Sequence, residues 1–339
     1  MRVDSLMTYS LIVMLFYCSL ALHQPTDALH IEGRTMGTTY HITYFDEHGR
    51  DYKVSVDSVL REVNHAINTY DPTAEVSLFN KSTRGILLSN SHLRSILYTS
   101  EKVYRESQGA FDPTVMPLVN AWGFGPGKSF HVTQAKIDSL KQFVGFQKIR
   151  ITKDSLIKLD PRVQLDFGGI GQGYGADAIT LFLQSKGVTN LLVELGGEGM
   201  AIGKNIQKNK AWTIGILDPN STRDNQFFKA YAEVKDQSYT TAGSYFNYRE
   251  IDGKKYSHTI DPVTGYPADL PLLSASVFAK DCTTADAWDT AFMVMGHTQA
   301  IKLLSKRKDL DAILMYSTLT GPIETFITAG IKNRITLER

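Results

Sequence analysis

Asp286, Asp289 and Thr290 are spaced i, i+3 and i+4 in the segment Cys282–Thr290, which reads as the start of a helix with Thr283 or Thr284 as its N-cap. At that spacing three side-chain oxygens share one face of the first turns. Hard oxygens so arranged suit Mg²⁺, which keeps several waters and is often completed by substrate phosphate. The helix N-terminus adds roughly half a positive charge, which favours an anion nearby. Acidic first turns also occur without any metal, because they answer that dipole, and this segment alone does not separate the two.

A second stretch, Leu165 to Ile179, is built for close approach. Gly168, Gly169, Gly171 and Gly173 leave backbone groups uncovered between an apolar run, Ile157 to Leu165, read as a strand, and a periodic segment, Tyr174 to Leu183, read as a helix. Such a turn ahead of a helix admits a phosphate-bearing ligand, and Asp166 at the strand end suits polar recognition or metal chemistry. Gly171-x-Gly173-x-x-Ala176, with Glu194 ending a further apolar strand from Val188, also fits a relaxed dinucleotide fingerprint. Against that, the unit lies mid-chain after little βαβ alternation, and Glu194 runs straight into another glycine turn, Gly196 to Gly199. A phosphate site outside the dinucleotide fold is the favoured reading, ahead of a structural glycine turn and of a Rossmann unit.

His258 lies in Ser257–Gly265, at a strand end before the Asp261-Pro262 turn. An imidazole titrating near neutrality can take a proton from an attacking hydroxyl. A partly buried histidine bonded to backbone would have the same local sequence. Thr240 to Tyr245 likewise reads as a polar ligand edge or as a turn.

The elements that must position these residues alternate in kind. Glu32 to Tyr44 has period two and is interrupted at Gly37. Helices are expected over Val56–Ile67, Ser91–Ser107, Thr133–Val144, Ala285–Met295 and Gln299–Ser305. Gly109 to Leu118 is loop-like with two prolines, and Trp122 to Gly127 reads as a packed surface loop. Strands are expected over Leu191–Leu195, Trp212–Leu217, Lys229–Val234, Tyr239–Thr241, Phe246–Ile251, Lys255–Ile260, Ser274–Phe278, Ala312–Met315 and Ile323–Thr328. Asp252-Gly253 is the hairpin turn between two of them. Hairpin-joined strands with a few helices argue for an α+β class.

The 339 residues suffice for a large core, and the net charge of +1, with no basic run, argues against nucleic acid. Of the two cysteines, Cys18 lies inside an N-terminal apolar run, so Cys282 would stand alone and no disulfide framework forms in a mature chain. Arg2, the run Leu6 to Leu22 and Ser19-Leu20-Ala21 read as an export signal over residues 1–22. Lipidation at Cys18 and an uncleaved membrane anchor are the alternatives, the latter allowing membrane association through the N-terminus.

Taken in order, these segments resemble the ApbE family, the FAD:protein FMN transferases, over essentially the whole mature chain, residues 30–339. The matching stretches are Thr35-Met-Gly-Thr38, Thr69-Tyr-Asp-Pro72 with Glu75-Val-Ser77, and Gly109-Ala-Phe-Asp112 with Trp122-Gly-Phe-Gly125. They continue with Leu165 to Asp177, Glu194-Leu-Gly-Gly-Glu198, Ser257 to Gly265, and Ala285 to Thr290. The resemblance implies a T-fold-related α+β fold with a mostly antiparallel sheet and packed helices. It implies that Met36, Tyr70, Ala110, Phe111, Asp112, Asp166, Gln172 and Ile260 line FAD, which is a substrate. Mg²⁺ would be held by the Gly169 carbonyl and the side chains of Asp286, Asp289 and Thr290, with His258 as base. The family often carries a charged residue at position 172, and Ala242 and Ser244 depart from its usual pattern, so no role is assigned to those two.

The implied reaction is Mg²⁺-dependent transfer of FMN from FAD to a threonine hydroxyl of a protein, with release of AMP. Acceptors would be flavoprotein subunits of exported respiratory redox complexes, at a periplasmic location attached to or near the inner membrane. An FAD diphosphatase, in which water replaces threonine, and a non-catalytic exported FAD-binding protein are the alternatives.

Overall fold

The period-two segment that opens at Leu29 folds back on itself at Met36-Gly37. Both residues have positive φ, 48° and 75°, as a two-residue hairpin turn of the favoured twist demands. The strand interrupted at Gly37 is thus two antiparallel strands, Leu29–Thr35 and Thr38–Phe45, with Thr35 opposite Thr38. The computed structural model describes residues 27–127, 132–222, 224–244, 248–251, 254–318 and 321–338. The export segment 1–22 and the Asp252-Gly253 turn lie outside them. No helix among the described residues is long and apolar enough to cross a membrane.

That hairpin forms one edge of an eight-stranded sheet. The order across it is Leu29–Thr35, Thr38–Phe45, Asn190–Leu195, Glu198–Ile202, Gln237–Gly243, Leu272–Phe278, Asp311–Tyr316 and Glu324–Ile327. Every pairing among these strands is antiparallel, so the Rossmann reading of the glycine turn is overturned: a doubly wound fold needs parallel neighbours.

Both faces of the sheet are covered, and single strands show it. In Asp311–Tyr316, Ala312 and Leu314 join the core beneath the helices, whereas Ile313 and Met315 face the core beneath a second sheet. On the helical side, Gly171–Ser185 and Cys282–Leu304 pack on each other and on the central strands. Lys53–Ile67 and Ser91–Glu106 pack behind them. Trp288, Phe292, Phe79 and Leu97 fill the interior there. On the other side lies a three-stranded sheet of Trp212–Leu217, Phe228–Val234 and Ile335–Leu337.

Three expectations need correction. The strand expected over Ile157–Leu165 is only Ser155–Lys158, because Asp160-Pro161 turns the chain and Pro161 has no N–H for a ladder. The Gly109–Leu118 loop runs into a short helix, Met116–Ala121, with Pro117 in its first turn, where a missing N–H costs nothing. The helices expected over 285–295 and 299–305 are both present within Cys282–Leu304, on either side of a kink at Gly296 (φ 73°, ψ 165°). The strand expected over Lys255–Ile260 ends at Ser257, and Ile260 pairs instead with Pro267 in an isolated bridge.

Candidate active site

A cleft of about 1020 Å³ lies where the glycine turn, the Cys282 helix and the 258–262 segment meet. Met36, Tyr70, Ala110, Phe111, Asp112, Asp166, Gln172 and Ile260 line it, as do Gly169, Asp286, Asp289, Thr290 and His258. Segments far apart in the chain therefore converge on one cavity.

Its floor depends on glycines. The backbone N–H of Gly173 donates to Asp286 Oδ2 at 2.7 Å. A Cβ at 173 would stand 2.4 Å from the Cys282 carbonyl oxygen and 2.7 Å from Asp286 Cβ, so only glycine lets the two helices meet here. A Cβ at Gly169 would stand 2.6 Å from Thr290 Oγ1, which places the Gly169 backbone against that hydroxyl.

The start of the Cys282 helix is capped differently from the expectation. Asp281 is the N-cap, accepting from Thr284 N at 2.8 Å, and neither Thr283 nor Thr284 has that role. Asp177, reaching over from the neighbouring helix, accepts from the N–H groups of Cys282 and Thr283, each at 2.8 Å, and from the Thr283 hydroxyl at 2.5 Å. Burial pushes Asp177 up to about 6. The anion that this positive helix end favours is thus supplied by the protein's own carboxylates.

One turn further on, the chemistry changes. Asp286 is buried, and burial pushes its carboxyl up to about 7 even though Gly173 donates to it. Asp289 is 1% exposed and Glu198 8%. Burial first, and then neighbouring negative charge, raises both well above the usual carboxylate range. Thr240 and Thr290 stand close enough to oppose that shift on Asp289. Even so, neither Asp289 oxygen, nor Glu198 Oε2, nor the Thr240 hydroxyl completes a hydrogen bond. Buried carboxylates left like this call for a cation. Among the described residues no three His, Cys, Asp or Glu side chains converge as a metal site. A cation here would therefore take part of its ligand set from hydroxyl and carbonyl oxygens, and Thr290 with Gly169 offers both. The residues present fit Mg²⁺ in that manner.

The opposite wall is held by main-chain contacts. His258 is exposed to the cleft and follows the Lys254–Ser257 strand. Beyond it Gly265 N donates to the Asp261 carbonyl at 2.8 Å, closing the Asp-Pro turn. Trp122 Nε1 donates to the Gly265 carbonyl at 2.9 Å. Trp122 is only 5% exposed, so the packed surface loop expected here is anchored in the interior by its tryptophan. Arg249 Nη1 donates to the carbonyls of Trp122 and Gly123, at 3.2 and 3.0 Å, and also lines the cleft.

Tyr70 is 67% exposed and its hydroxyl donates to the Phe124 carbonyl at 3.0 Å. The Met36 Cε methyl lies near Gly175, and the Gln172 amide lies against Gly196. Asp112 is buried; its Oδ1 accepts from Thr114 N at 2.8 Å and Thr114 Oγ1 at 2.6 Å, and burial still pushes it up to about 6. Asp166 accepts from Gly168 N at 3.0 Å, with burial raising its carboxyl. Ala242 also lines the cleft; Ser244 does not.

Two charged lining residues escaped the sequence reading. Arg249 sits in a hairpin strand with no marker of its site role. Glu198 stood in a Gly-Gly-Glu-Gly run that looked like a turn, whereas it begins the Glu198–Ile202 strand with its side chain turned inward. The glycine run holds the one available signal, since Gly197 N donates to Glu194 Oε1 at 2.6 Å and fixes the tight turn that brings Glu198 in.

Comparison with known proteins agrees with this fold. The profile of the ApbE family matches residues 36–314. The FAD:protein FMN transferase of Vibrio cholerae serotype O1 is 33% identical over 305 residues, covering 88% of this chain and 90% of that protein. The FAD:protein FMN transferase of Escherichia coli K12 is 32% identical over 327 residues, covering 93% and 91%. Among solved structures, the flavin transferase ApbE from Vibrio cholerae superposes with a TM-score of 0.82 at 32% identity, over 91% of this chain and 100% of that one. The apo flavinyl transferase ApbE of Pseudomonas stutzeri gives 0.79 at 30% identity, over 92% and 98%. The chain belongs to the ApbE family.

Proposed function

We propose that the protein transfers FMN from FAD to a threonine hydroxyl of an acceptor protein and releases AMP. The observation that carries this reading is the meeting, in one cleft, of His258 with the orphaned carboxylates at Asp289 and Glu198. The names of the relatives supply the reaction class.

FAD would lie along the cleft with its diphosphate near the glycine turn. Tyr70, Phe111 and Met36 offer ring and methyl surface for the flavin or adenine, while Asp112, Asp166 and Gln172 offer polar contacts. Gly169, Asp286, Asp289 and Thr290 would hold Mg²⁺, which when bound neutralises charge on the diphosphate and on the departing AMP. The threonine oxygen attacks the phosphorus on the flavin side, and the bond from that phosphorus to the oxygen bridging to AMP breaks. His258 takes the threonine proton, so the products are a phosphoester-linked FMN and AMP. Gly173 fixes Asp286, and Asp177 fixes the first turn of its helix, so that the oxygens are set before substrate arrives.

The apolar run in residues 1–22 supports an exported, periplasmic location, attached to or near the inner membrane. On that reading the acceptors are flavoprotein subunits of respiratory redox complexes. The test is incubation of the protein with FAD, Mg²⁺ and such an acceptor domain, followed by denaturing electrophoresis. Acid-stable yellow fluorescence on the acceptor is expected. Its absence beside a control transferase that labels the same domain would refute the reading.

A further inference from the structure

We propose that Glu198 is part of the cation site, holding a water ligand of the divalent ion carried by Asp286 and Thr290. The inference rests on the cation reading above and assigns a role to a residue that reading leaves unused.

Glu198 comes from the sheet, whereas Asp286, Asp289 and Thr290 come from the helix packed on it, and all four line the same cleft. Its position is fixed by tight surroundings. It pairs with Leu195 across the turn, and a Cβ on its neighbour Gly199 would stand 2.2 Å from the Val193 carbonyl oxygen and 2.4 Å from the Tyr239 hydroxyl. The side chain is 8% exposed and its Oε2 has no hydrogen-bond partner. The charges acting on it most strongly are those of Asp286, Asp289 and Glu194, all of its own sign. Sequestering one more carboxylate beside like charges is costly unless a cation balances it.

Direct ligation by all three carboxylates is not how that balance is reached, because the three do not converge as a metal-binding group. Mg²⁺ retains several waters and binds through one or two carboxylates. A third carboxylate across the site then has a natural partner in a metal-bound water, whose proton it accepts. Groups acting through a ligand in this way typically set metal affinity by 10- to 100-fold.

The test uses the full chain freed of flavin, titrated with Mg²⁺ in a calorimeter and with Mn²⁺ by electron paramagnetic resonance. Glu198→Gln should weaken binding by about 10- to 100-fold. Glu75→Gln, at a carboxylate whose Oε2 is likewise unpartnered but which does not line the cleft, should bind as the parent does. If Glu198→Gln does not fold, as judged by circular dichroism, Glu198→Asp replaces it and should show a smaller loss. Parental affinity in the folded Glu198 variant overturns the proposal, as does a parent that binds neither ion. A protein that fails to flavinylate any acceptor, yet shows the weakened binding, refutes the transferase reading and leaves this one standing.

Discussion

Gly173 and Asp286, far apart in the chain, are joined by a 2.7 Å hydrogen bond from the glycine N–H to the carboxylate. The contact welds the glycine turn to the helix that carries the candidate cation ligands. Gly173→Ala would force a methyl into the Cys282 carbonyl. Overpacking of this kind costs about 1–3 kcal/mol, and it should also move Asp286. Urea unfolding and Mg²⁺ titration of this variant should both show a loss. A variant with parental stability and Mg²⁺ affinity would mean that the close approach has no consequence.

Asp177 makes three contacts to the first turn of the Cys282 helix. Asp177→Ala leaves two backbone N–H groups and a hydroxyl without acceptors. The expected loss is about 2 kcal/mol or more, read from the shift in urea midpoint at unchanged slope. A loss below a few tenths of a kcal/mol would show that solvent replaces the carboxylate.

Stability should fall with rising pH across the acid range, and Asp112 is one cause. Burial pushes its carboxyl from 3.8 up to about 6. Between those values the folded chain keeps a proton that the unfolded chain has lost. The group therefore costs roughly 3 kcal/mol at neutral pH that it does not cost near pH 3. Asp112→Asn keeps an acceptor for Thr114, and should raise stability at pH 8 with little change at pH 3.5. Asp177 acts in the same sense, so the slope should shrink without vanishing. Unchanged denaturation curves at both pH values would contradict this.

Asp286→Ala should abolish most of the Mg²⁺ response. Were it a solvated first-turn aspartate, its loss would cost only about 0.3–1 kcal/mol through the helix dipole. It is in fact buried beside Asp289 and Glu198. Removing it relieves like-charge crowding but leaves the Gly173 N–H without its acceptor, so the diagnostic readout is the metal response: added Mg²⁺ should no longer raise the melting temperature. A variant still stabilised by Mg²⁺ would free Asp286 from the ligand role.

How far the sequence reading reached follows from which signals are local. The Trp212–Leu217 strand was found to the residue, because alternation is a local property. So was the start of the Ser91–Glu106 helix, where Asn90 caps by accepting from His92 N. The candidate site residues were named through ordered motifs, and the fold brings them to one cavity. What stayed hidden is set by partners far along the chain. Nothing near Asp177 shows that it caps a helix beginning at Cys282. Nothing near Glu198 shows that Asp286 and Asp289 face it. Pro117 concealed a helix for the opposite reason, since proline is a breaker everywhere but in a first turn.

His258 should act on the acceptor hydroxyl and not on FAD. General-base assistance is worth about 10²–10⁴-fold in rate, so His258→Ala should slow transfer by that factor at saturating FAD while FAD affinity changes little. Collapse of FAD affinity with a normal residual rate would make His258 a binding residue.

The central claim is that the flavin-side phosphorus passes from FAD to a threonine of a protein. Intact-mass spectrometry of the acceptor, with AMP counted in the same reaction, tests it most directly. The account predicts that the acceptor gains one FMN with loss of water, that one AMP appears per FMN attached, and that replacing the acceptor threonine by alanine stops both. Release of FMN and AMP with no change in acceptor mass would show a diphosphatase instead, and FAD bound without cleavage would show no enzyme at all.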